Sequence, residues 1–248
     1  MTRRCLSLTL VVFTSSVAVA APPPAVSAVA YHPKGQLVAF GTHDEVRLFD
    51  PQTGEFVRKL SGHTGRITAL AFSPDGKVLA VASGEPGRAG VVRFHTLGDS
   101  AEADAPGPTL TAHTDAVYAL AFSPDGKLFA SAGYDRVIHV FDISRLADGV
   151  APLKRTLKDH SDTIYGLSFH PDGQLLASAS ADRAVKVWDI ETGTRLYTLS
   201  DPTDWVYAVT WSPDRKHLAA AGVDKSIRVW AADRAGGKLV QSVFAHAG

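Results

Sequence analysis

Short runs of alternating apolar and polar residues recur along the chain from about residue 26 onward. The run at 117–122 ends at the tetrapeptide Ser-Pro-Asp-Gly, and a corresponding tetrapeptide, His-Pro-Asp-Gly at 170–173, precedes the apolar run at 175–178. Alternation over four to six residues, bounded by proline and glycine, is typical of β-strands. Proline presets φ at the second turn position, and glycine tolerates positive φ. The pattern predicts an all-β chain of short antiparallel strands.

The same unit occurs five times. Segments 69–76 and 119–126 are identical, and similar copies occupy 28–35, 166–173 and 208–215. The prolines of these turns are Pro33, Pro74, Pro124, Pro171 and Pro213, which are 41, 50, 47 and 42 residues apart. Most copies continue with a tight turn that contains aspartate, and then with two more strands. Four strands of about five to six residues plus turns fill such a period.

Several motifs in these units resemble the WD-repeat family. They are Ser61-Gly62-His63, Ser73-Pro74-Asp75-Gly76 and Trp188-Asp189, with Phe49-Asp50 and Phe141-Asp142 as variants that carry phenylalanine for tryptophan. The resemblance covers residues 26–246 and implies a β-propeller, in which each repeat forms a four-stranded antiparallel blade around a central channel. On this pattern the blades are predicted at 26–61, 65–111, 115–158, 162–200 and 204–244.

The end of the sequence resembles the start of a further unit. Residues 244–248 correspond to the opening of a repeat, as at 111–113. Propellers usually carry four to eight blades, and members of this family most often close with seven. We therefore expect five complete blades with a sixth begun, and interpret the sequence as a truncated propeller. A ring that closes with five blades is the alternative.

Residues 1–20 have the pattern of a secretory signal peptide. Arg3 and Arg4 precede an apolar stretch that ends at Ala18-Val19-Ala20, and a proline-rich linker follows at 21–25. The apolar stretch of about fifteen residues is shorter than the roughly 20 that span a bilayer. We expect cleavage, export to the periplasm or extracellular space, and no stable membrane insertion afterwards. A cytoplasmic location is the fallback.

Composition excludes several functional classes. The chain has 248 residues, of which 45% are hydrophobic, so it can form a packed core. It carries 25 basic and 25 acidic residues, so there is no overall positive charge for nucleic acid. Cys5 is the single cysteine, which excludes a disulfide framework and a thiolate metal site.

A serine, a histidine and an aspartate in the fourth unit raise the question of catalysis. His160, Ser178 and Asp182 are the residue types of a hydrolase triad. The resemblance implies instead that they form a buried hydrogen-bonded tetrad with Trp188. The same three types recur one unit earlier, as His113, Ser131 and Asp135. Because an enzyme needs its triad only once, we predict a structural tetrad and no catalytic residue.

Other units depart from the tetrad. In the first unit Phe40 stands at the serine position of the tetrad, and in the second Arg88 replaces the turn aspartate. In the third unit Phe141 replaces the tryptophan. In the fifth unit Pro202 replaces the histidine and Ala220 replaces the serine. Only the fourth unit is complete.

Ten histidines invite a metal hypothesis. Four of them occupy the same repeat position, which places them on separate blades, namely His63, His113, His160 and His246. The others show no H-x-x-x-H or H-E-x-x-H spacing. The sequence therefore predicts no metal site, and no cofactor.

One position in the first strand of each unit is predominantly aromatic. In this family that position lies near the channel entrance, so three consecutive tyrosines would form an aromatic arc there. Tyrosine and tryptophan are favoured anchors of protein recognition. The predicted partner-binding residues are Thr68, Tyr118, Tyr134, Tyr165, Trp205 and Tyr207. The alternative is that these rings only pack between blades.

We therefore expect an exported, non-enzymatic scaffold that binds a protein or peptide, and no nucleic acid. Two alternatives remain. The chain could be the propeller portion of a longer multidomain protein, or an exported hydrolase or lyase with an active site at the channel mouth.

Overall fold

The computed structural model describes residues 25–98 and 105–245. The predicted signal peptide at 1–20, most of the linker at 21–25 and residues 246–248 at the expected start of a sixth unit lie outside these ranges. Within them, twenty strands form five four-stranded antiparallel sheets, and each sheet consists of four consecutive strands. A single 3-10 turn at Leu146–Asp148 is the helical element of the described part. No helix in this part is both long and apolar enough to cross a bilayer.

The strands of each sheet follow one another in the chain. Blade 1 contains β1 (Ala28–Tyr31), β2 (Val38–Gly41), β3 (Val46–Phe49) and β4 (Phe56–Leu60). Blade 2 contains β5 (Ile67–Phe72), β6 (Val78–Ser83), β7 (Val91–Thr96) and β8 (Ala105–Leu110). Blade 3 contains β9 (Val117–Phe122), β10 (Leu128–Gly133), β11 (Val137–Asp142) and β12 (Leu153–Lys158). Blade 4 contains β13 (Ile164–Phe169), β14 (Leu175–Ser180), β15 (Val185–Asp189) and β16 (Arg195–Leu199). Blade 5 contains β17 (Val206–Trp211), β18 (His217–Gly222), β19 (Ser226–Ala232) and β20 (Gly237–Phe244).

The Ser-Pro-Asp-Gly turn links the first two strands of a blade through its side chains. In blade 2, Ser73 Oγ donates to Asp75 Oδ1 at 2.6 Å and accepts the Val78 backbone N–H at 2.9 Å. The Lys77 N–H also donates to Asp75 Oδ1, at 3.0 Å. Gly76 has φ +80°, a left-handed conformation that glycine adopts without a steric penalty. The repeated tetrapeptide therefore fixes the hairpin that starts each blade.

The hydrophobic core lies between neighbouring blades. Leu48 of blade 1 and Leu79 of blade 2 are fully buried in one cluster, and Ile138 of blade 3 and Ile164 of blade 4 share another. Each of the four core clusters draws on two consecutive blades. A blade that buries its faces only against the adjacent blades is the packing expected of a repeat architecture.

The first strands of all five blades line one open cavity of about 330 Å³. Its lining includes Val29, Thr68, Tyr118, Tyr165 and Tyr207, one residue from each blade. Five sheets that share a hub in this way confirm the predicted propeller architecture.

Candidate functional site

Four aromatic side chains meet at the end of the channel where the first strands begin. The ring centroid of Tyr165 lies 5.6 Å from that of Tyr118 and 5.1 Å from that of Tyr207. Trp205, immediately before β17, lies 6.4 Å from Tyr165 and 6.5 Å from Tyr207. We call these four residues the aromatic cluster and this end of the channel the channel mouth. The structure thus brings together four of the six residues proposed from the sequence.

The aromatic cluster is open to solvent on the blade 5 side. Trp205 is 44% exposed and Tyr207 is 47% exposed, whereas Tyr118 and Tyr165 are only partly exposed. Burial raises the pKa of the Tyr118 and Tyr165 phenols, and the nearby carboxylates of Asp115 and Asp162 raise it further. Both phenols are therefore neutral at physiological pH and keep a proton to donate.

Three aspartates border the channel mouth at equivalent positions of blades 3, 4 and 5. The Oδ1 atoms of Asp115, Asp162 and Asp204 each accept the backbone N–H of the following residue, at 2.7, 2.7 and 2.8 Å. Within the described residues, none of the three carboxylates forms an ion pair. They give this side of the face a negative charge.

Thr68 and Tyr134 lie outside the ring contacts. Thr68 lines the channel with Tyr118, and its buried Oγ1 has no hydrogen-bond partner among the described residues. Tyr134 is 51% exposed and lines the groove between blades 3 and 4, together with Asp115 and Asp162. These two residues extend the same face on either side of Tyr118.

The tetrad residues of blade 4 form one continuous hydrogen-bonded chain. Trp188 Nε1 donates to Ser178 Oγ at 2.8 Å, and the hydroxyl donates to His160 Nε2 at 2.7 Å. His160 Nδ1 in turn donates to Asp182 Oδ2 at 2.7 Å. Although burial by itself raises the pKa of Asp182, the hydrogen bond and charge of His160 hold it below its usual value. Ser178 has no exposed surface, so its hydroxyl cannot reach a substrate.

Blade 3 repeats this arrangement without the indole. His113 Nδ1 lies 2.9 Å from Asp135 Oδ2, and His113 Nε2 lies 2.8 Å from Ser131 Oγ. Phe141 occupies the position of the tryptophan, opposite Phe129 in the β10–β11 register. The Ser-His-Asp geometry thus occurs in two blades, and both serines are fully buried.

Blade 5 satisfies its tryptophan in a different way. Trp230 Nε1 donates to Asp201 Oδ2 at 2.8 Å, next to the proline that replaces the histidine. The turn aspartate Asp224 forms an ion pair with Arg228 at 2.6 Å. The buried polar groups that the substitutions would have left unpaired therefore find new partners.

Blade 2 contains a pair of buried histidines that the sequence analysis missed. His95 stands at the tryptophan position, and its Nε2 lies 3.2 Å from His63 Nε2. Burial lowers the pKa of each imidazole to about 4, with a further contribution from the charge of Arg93 on both and of His95 on His63. Both histidines are therefore neutral at pH 7.

A second missed contact involves His139 of blade 3. Its ring centroid lies 4.7 Å from that of His113, and its Nδ1 lies 3.2 Å from Thr156 Oγ1. One possible ligand atom from each of His113, Asp135 and His139 falls within 4.8 Å of the others. Comparing the histidines at equivalent positions of different blades could not reveal this contact. The signal that could have revealed it lies within one blade, because His139 is opposite the tetrad serine Ser131 on the neighbouring strand.

The family model described as "WD domain, G-beta repeat" matches this chain at residues 54–94, 105–142, 151–189 and 193–231, which together make up more than half of it. The "Periodic tryptophan protein 2 homolog" of Neurospora crassa is 39% identical over 59 residues, which are 23% of this chain and 7% of that protein. The "Pre-mRNA-processing factor 19 homolog 2" of Arabidopsis thaliana is 40% identical over 58 residues, or 23% of this chain and 11% of that protein. The matched segments span only a small part of these curated relatives.

A solved structure shows a similar fold. A chain in the "Crystal Structure of Mitotic Checkpoint Complex" superposes with a TM-score of 0.77 at 24% identity, over 90% of this chain and 66% of that one. The likeness supports a common fold and carries no information about a shared partner.

Proposed function

The chain belongs to the WD-repeat family, and from this membership we propose that it is a non-enzymatic scaffold that binds a protein or peptide at its channel mouth. The observation that carries the proposal is the aromatic cluster. Rings in mutual contact lose little conformational entropy when a partner covers them, and tyrosine and tryptophan are enriched among the residues that dominate binding energy. The exposed surfaces of Trp205 and Tyr207 give such a partner apolar area to bury.

The surroundings of the aromatic cluster favour a protein partner over a nucleic acid. Apolar anchors bordered by charged residues are the usual anatomy of a protein interface. Asp115, Asp162 and Asp204 would repel phosphates, which nucleic-acid-binding surfaces attract with basic residues. Arg66, on the blade 2 side, adds one positive charge close to Tyr118. These features fit a peptide of mixed charge.

Two further parts of the proposal rest on separate observations. The complete burial of Ser131 and Ser178 supports a scaffold without hydrolase activity. The basic start, apolar stretch and Ala-x-Ala motif of residues 1–20 support action after export. N-terminal sequencing of the protein from fractionated cells tests export, which requires a mature chain that begins at Ala21.

A binding experiment tests the channel mouth directly. Peptides selected from a random display library on the immobilised full chain are measured by calorimetry against wild type and a Tyr118→Ala/Tyr165→Ala double variant. Loss of two central anchors should weaken binding at least tenfold, because each such residue contributes about 1 kcal/mol or more. Tyr31→Ala is the control, since Tyr31 is 61% exposed at the opposite end of β1. Equal affinities of the double variant and wild type would rule out this face.

A further inference from the structure

One position in the third strand of every blade lies opposite the position of the tetrad serine. In four blades this residue is a cation, and in blade 3 it is a histidine. The residues are Arg47, Arg93, His139, Lys186 and Arg228. The substitution in blade 3 therefore replaces a positive charge by a neutral side chain that can coordinate a metal.

In blades 4 and 5 the cation lies beside the turn aspartate. Lys186 Nζ is 3.9 Å from Asp182 Oδ2, and Arg228 Nη1 is 2.6 Å from Asp224 Oδ2. Asp135, the corresponding carboxylate of blade 3, forms no ion pair with a lysine or arginine of the described residues. Its side chain is only 8% exposed, accepts the backbone N–H groups of Thr114 and Val137, and has two imidazoles as its nearest side-chain neighbours.

These three side chains are a suitable ligand set for a transition-metal ion. Imidazole and carboxylate together are typical of Zn²⁺ sites, whereas Mg²⁺ and Ca²⁺ prefer oxygen ligands alone. Zinc–ligand bonds of about 2.0–2.2 Å place tetrahedral ligand atoms about 3.3 Å apart. His113 Nδ1 and Asp135 Oδ2 are 2.9 Å apart, and the ligand atoms of all three residues lie within 4.8 Å. To surround one ion, the most distant ligand atoms must approach by up to about 1.5 Å, with His139 reoriented from Thr156 Oγ1.

Because blade 3 lacks the indole, its tetrad serine has an acceptor position free for the imidazole proton of His113. A metal at His113 Nδ1 needs the imidazole proton on Nε2, where it must be donated to Ser131 Oγ. In blade 4 the corresponding serine oxygen already accepts the Trp188 N–H. In blade 3 Phe141 has no such donor, so both lone pairs of Ser131 Oγ remain to accept a hydrogen bond from the Nε2–H of His113, 2.8 Å away. Such a hydrogen bond from the second nitrogen is the usual support of a metal-bound histidine.

We propose that blade 3 binds one divalent transition-metal ion of the Zn²⁺ type through His113 Nδ1, Asp135 and His139. The imidazole proton of His113 moves from Nδ1 to Nε2, so that the residue stays neutral. Because His139 is only partly buried, water can supply the fourth ligand. The ion takes the place that the ammonium of Lys186 and the guanidinium of Arg228 hold in the following blades, and it neutralises Asp135.

Calorimetric titration of the untagged full chain with ZnCl₂ tests the proposal. The wild type should bind one ion, whereas His139→Lys and His139→Arg, which introduce the residues of blades 4 and 5, should weaken binding at least tenfold. His217→Lys is the matched control, because His217 also lies near a carboxylate, 3.5 Å from Asp214, but is 41% exposed. Cys5 and the remaining histidines are common to all of these proteins. Circular dichroism confirms that each variant is folded.

A second measurement does not depend on the variants. A crystal soaked in ZnCl₂ should show an anomalous-scattering peak between His113 and His139. The absence of that peak, the absence of saturable binding, or undiminished affinity in a folded His139 variant would each overturn the proposal.

Discussion

The indole nitrogen of Trp188 lies 2.8 Å from the hydroxyl oxygen of Ser178. This hydrogen bond is the difference between the tetrad network of blade 4 and the corresponding network of blade 3. In blade 3 the corresponding serine bonds to His113, and Phe141, at the position of the tryptophan, has no donor. The two serines are equally buried, so they provide a matched pair in one molecule.

Removal of the two hydroxyls should have unequal effects on stability. Ser178→Ala leaves both the Trp188 N–H and His160 Nε2 without a partner, and each unsatisfied buried group costs about 1–3 kcal/mol. We expect the free energy of unfolding to fall by about 2–4 kcal/mol. Ser131→Ala leaves only His113 Nε2 unpaired and should cost about half as much. Urea denaturation of the two variants measures the difference, and equal losses would show that the indole bond adds nothing.

The histidine pair of blade 2 should make stability depend on pH between about 6.5 and 4. The pKa of His63 and of His95 is about 4 in the folded chain and 6.5 in the unfolded one. In this range the unfolded chain binds more protons than the folded chain, so the free energy of unfolding falls as pH falls. The loss is on the order of 3 kcal/mol per histidine. Chemical denaturation at a series of pH values measures it.

His95→Phe is the control for this pH dependence. The substitution introduces the residue type that blade 3 carries at the same position, Phe141, and removes one titrating group and its repulsion of His63. The decline in stability from pH 6.5 to pH 4 should become smaller by at least half. The slope and not the absolute stability is compared, because the new ring also changes packing. An unchanged slope would contradict the assignment of this pH dependence to the titration of His63 and His95.

The fold was predictable because it depends on features that recur. Five Pro-containing turns at 41–50-residue spacing identified the blades, and the first-strand tyrosines indicated the face where their rings now meet. Repetition averages out local ambiguity, since an alternating run of six residues is weak evidence alone and strong in five copies.

The contacts of His95 and His139 were not predictable in the same way. Each depends on the register between two strands of one blade, where Leu79 faces His95 and Ser131 faces His139. A comparison of equivalent positions across repeats registers a histidine in the place of a tryptophan or a lysine only as the loss of the interaction that the usual residue makes. The structure shows that the substituted histidine can instead contact a second histidine, because the tetrad histidine of the same blade lies beside it.

Arg215 occupies the place of glycine in the fifth copy of the hairpin turn, and its backbone has φ +67°. The equivalent glycines of the other four copies have φ between +69° and +80°. A non-glycine residue in this left-handed region costs about 1–2 kcal/mol, of which the greater freedom of glycine in the unfolded chain offsets about 0.4–1 kcal/mol.

Arg215→Gly should therefore stabilise the protein by about 0.5–1 kcal/mol, measured as an increase in the urea midpoint without a change in slope. Gly173→Ala is the converse change in the preceding blade. An added Cβ there would meet Pro124 at an ordinary 3.9 Å, so the expected destabilisation comes from the backbone conformation, φ +76°, alone. If both Arg215→Gly and Gly173→Ala destabilised the protein, the contacts of the Arg215 side chain would stabilise the turn by more than its left-handed backbone conformation costs. Stabilisation in the first variant and loss in the second would show that the turns of blades 4 and 5 both require positive φ.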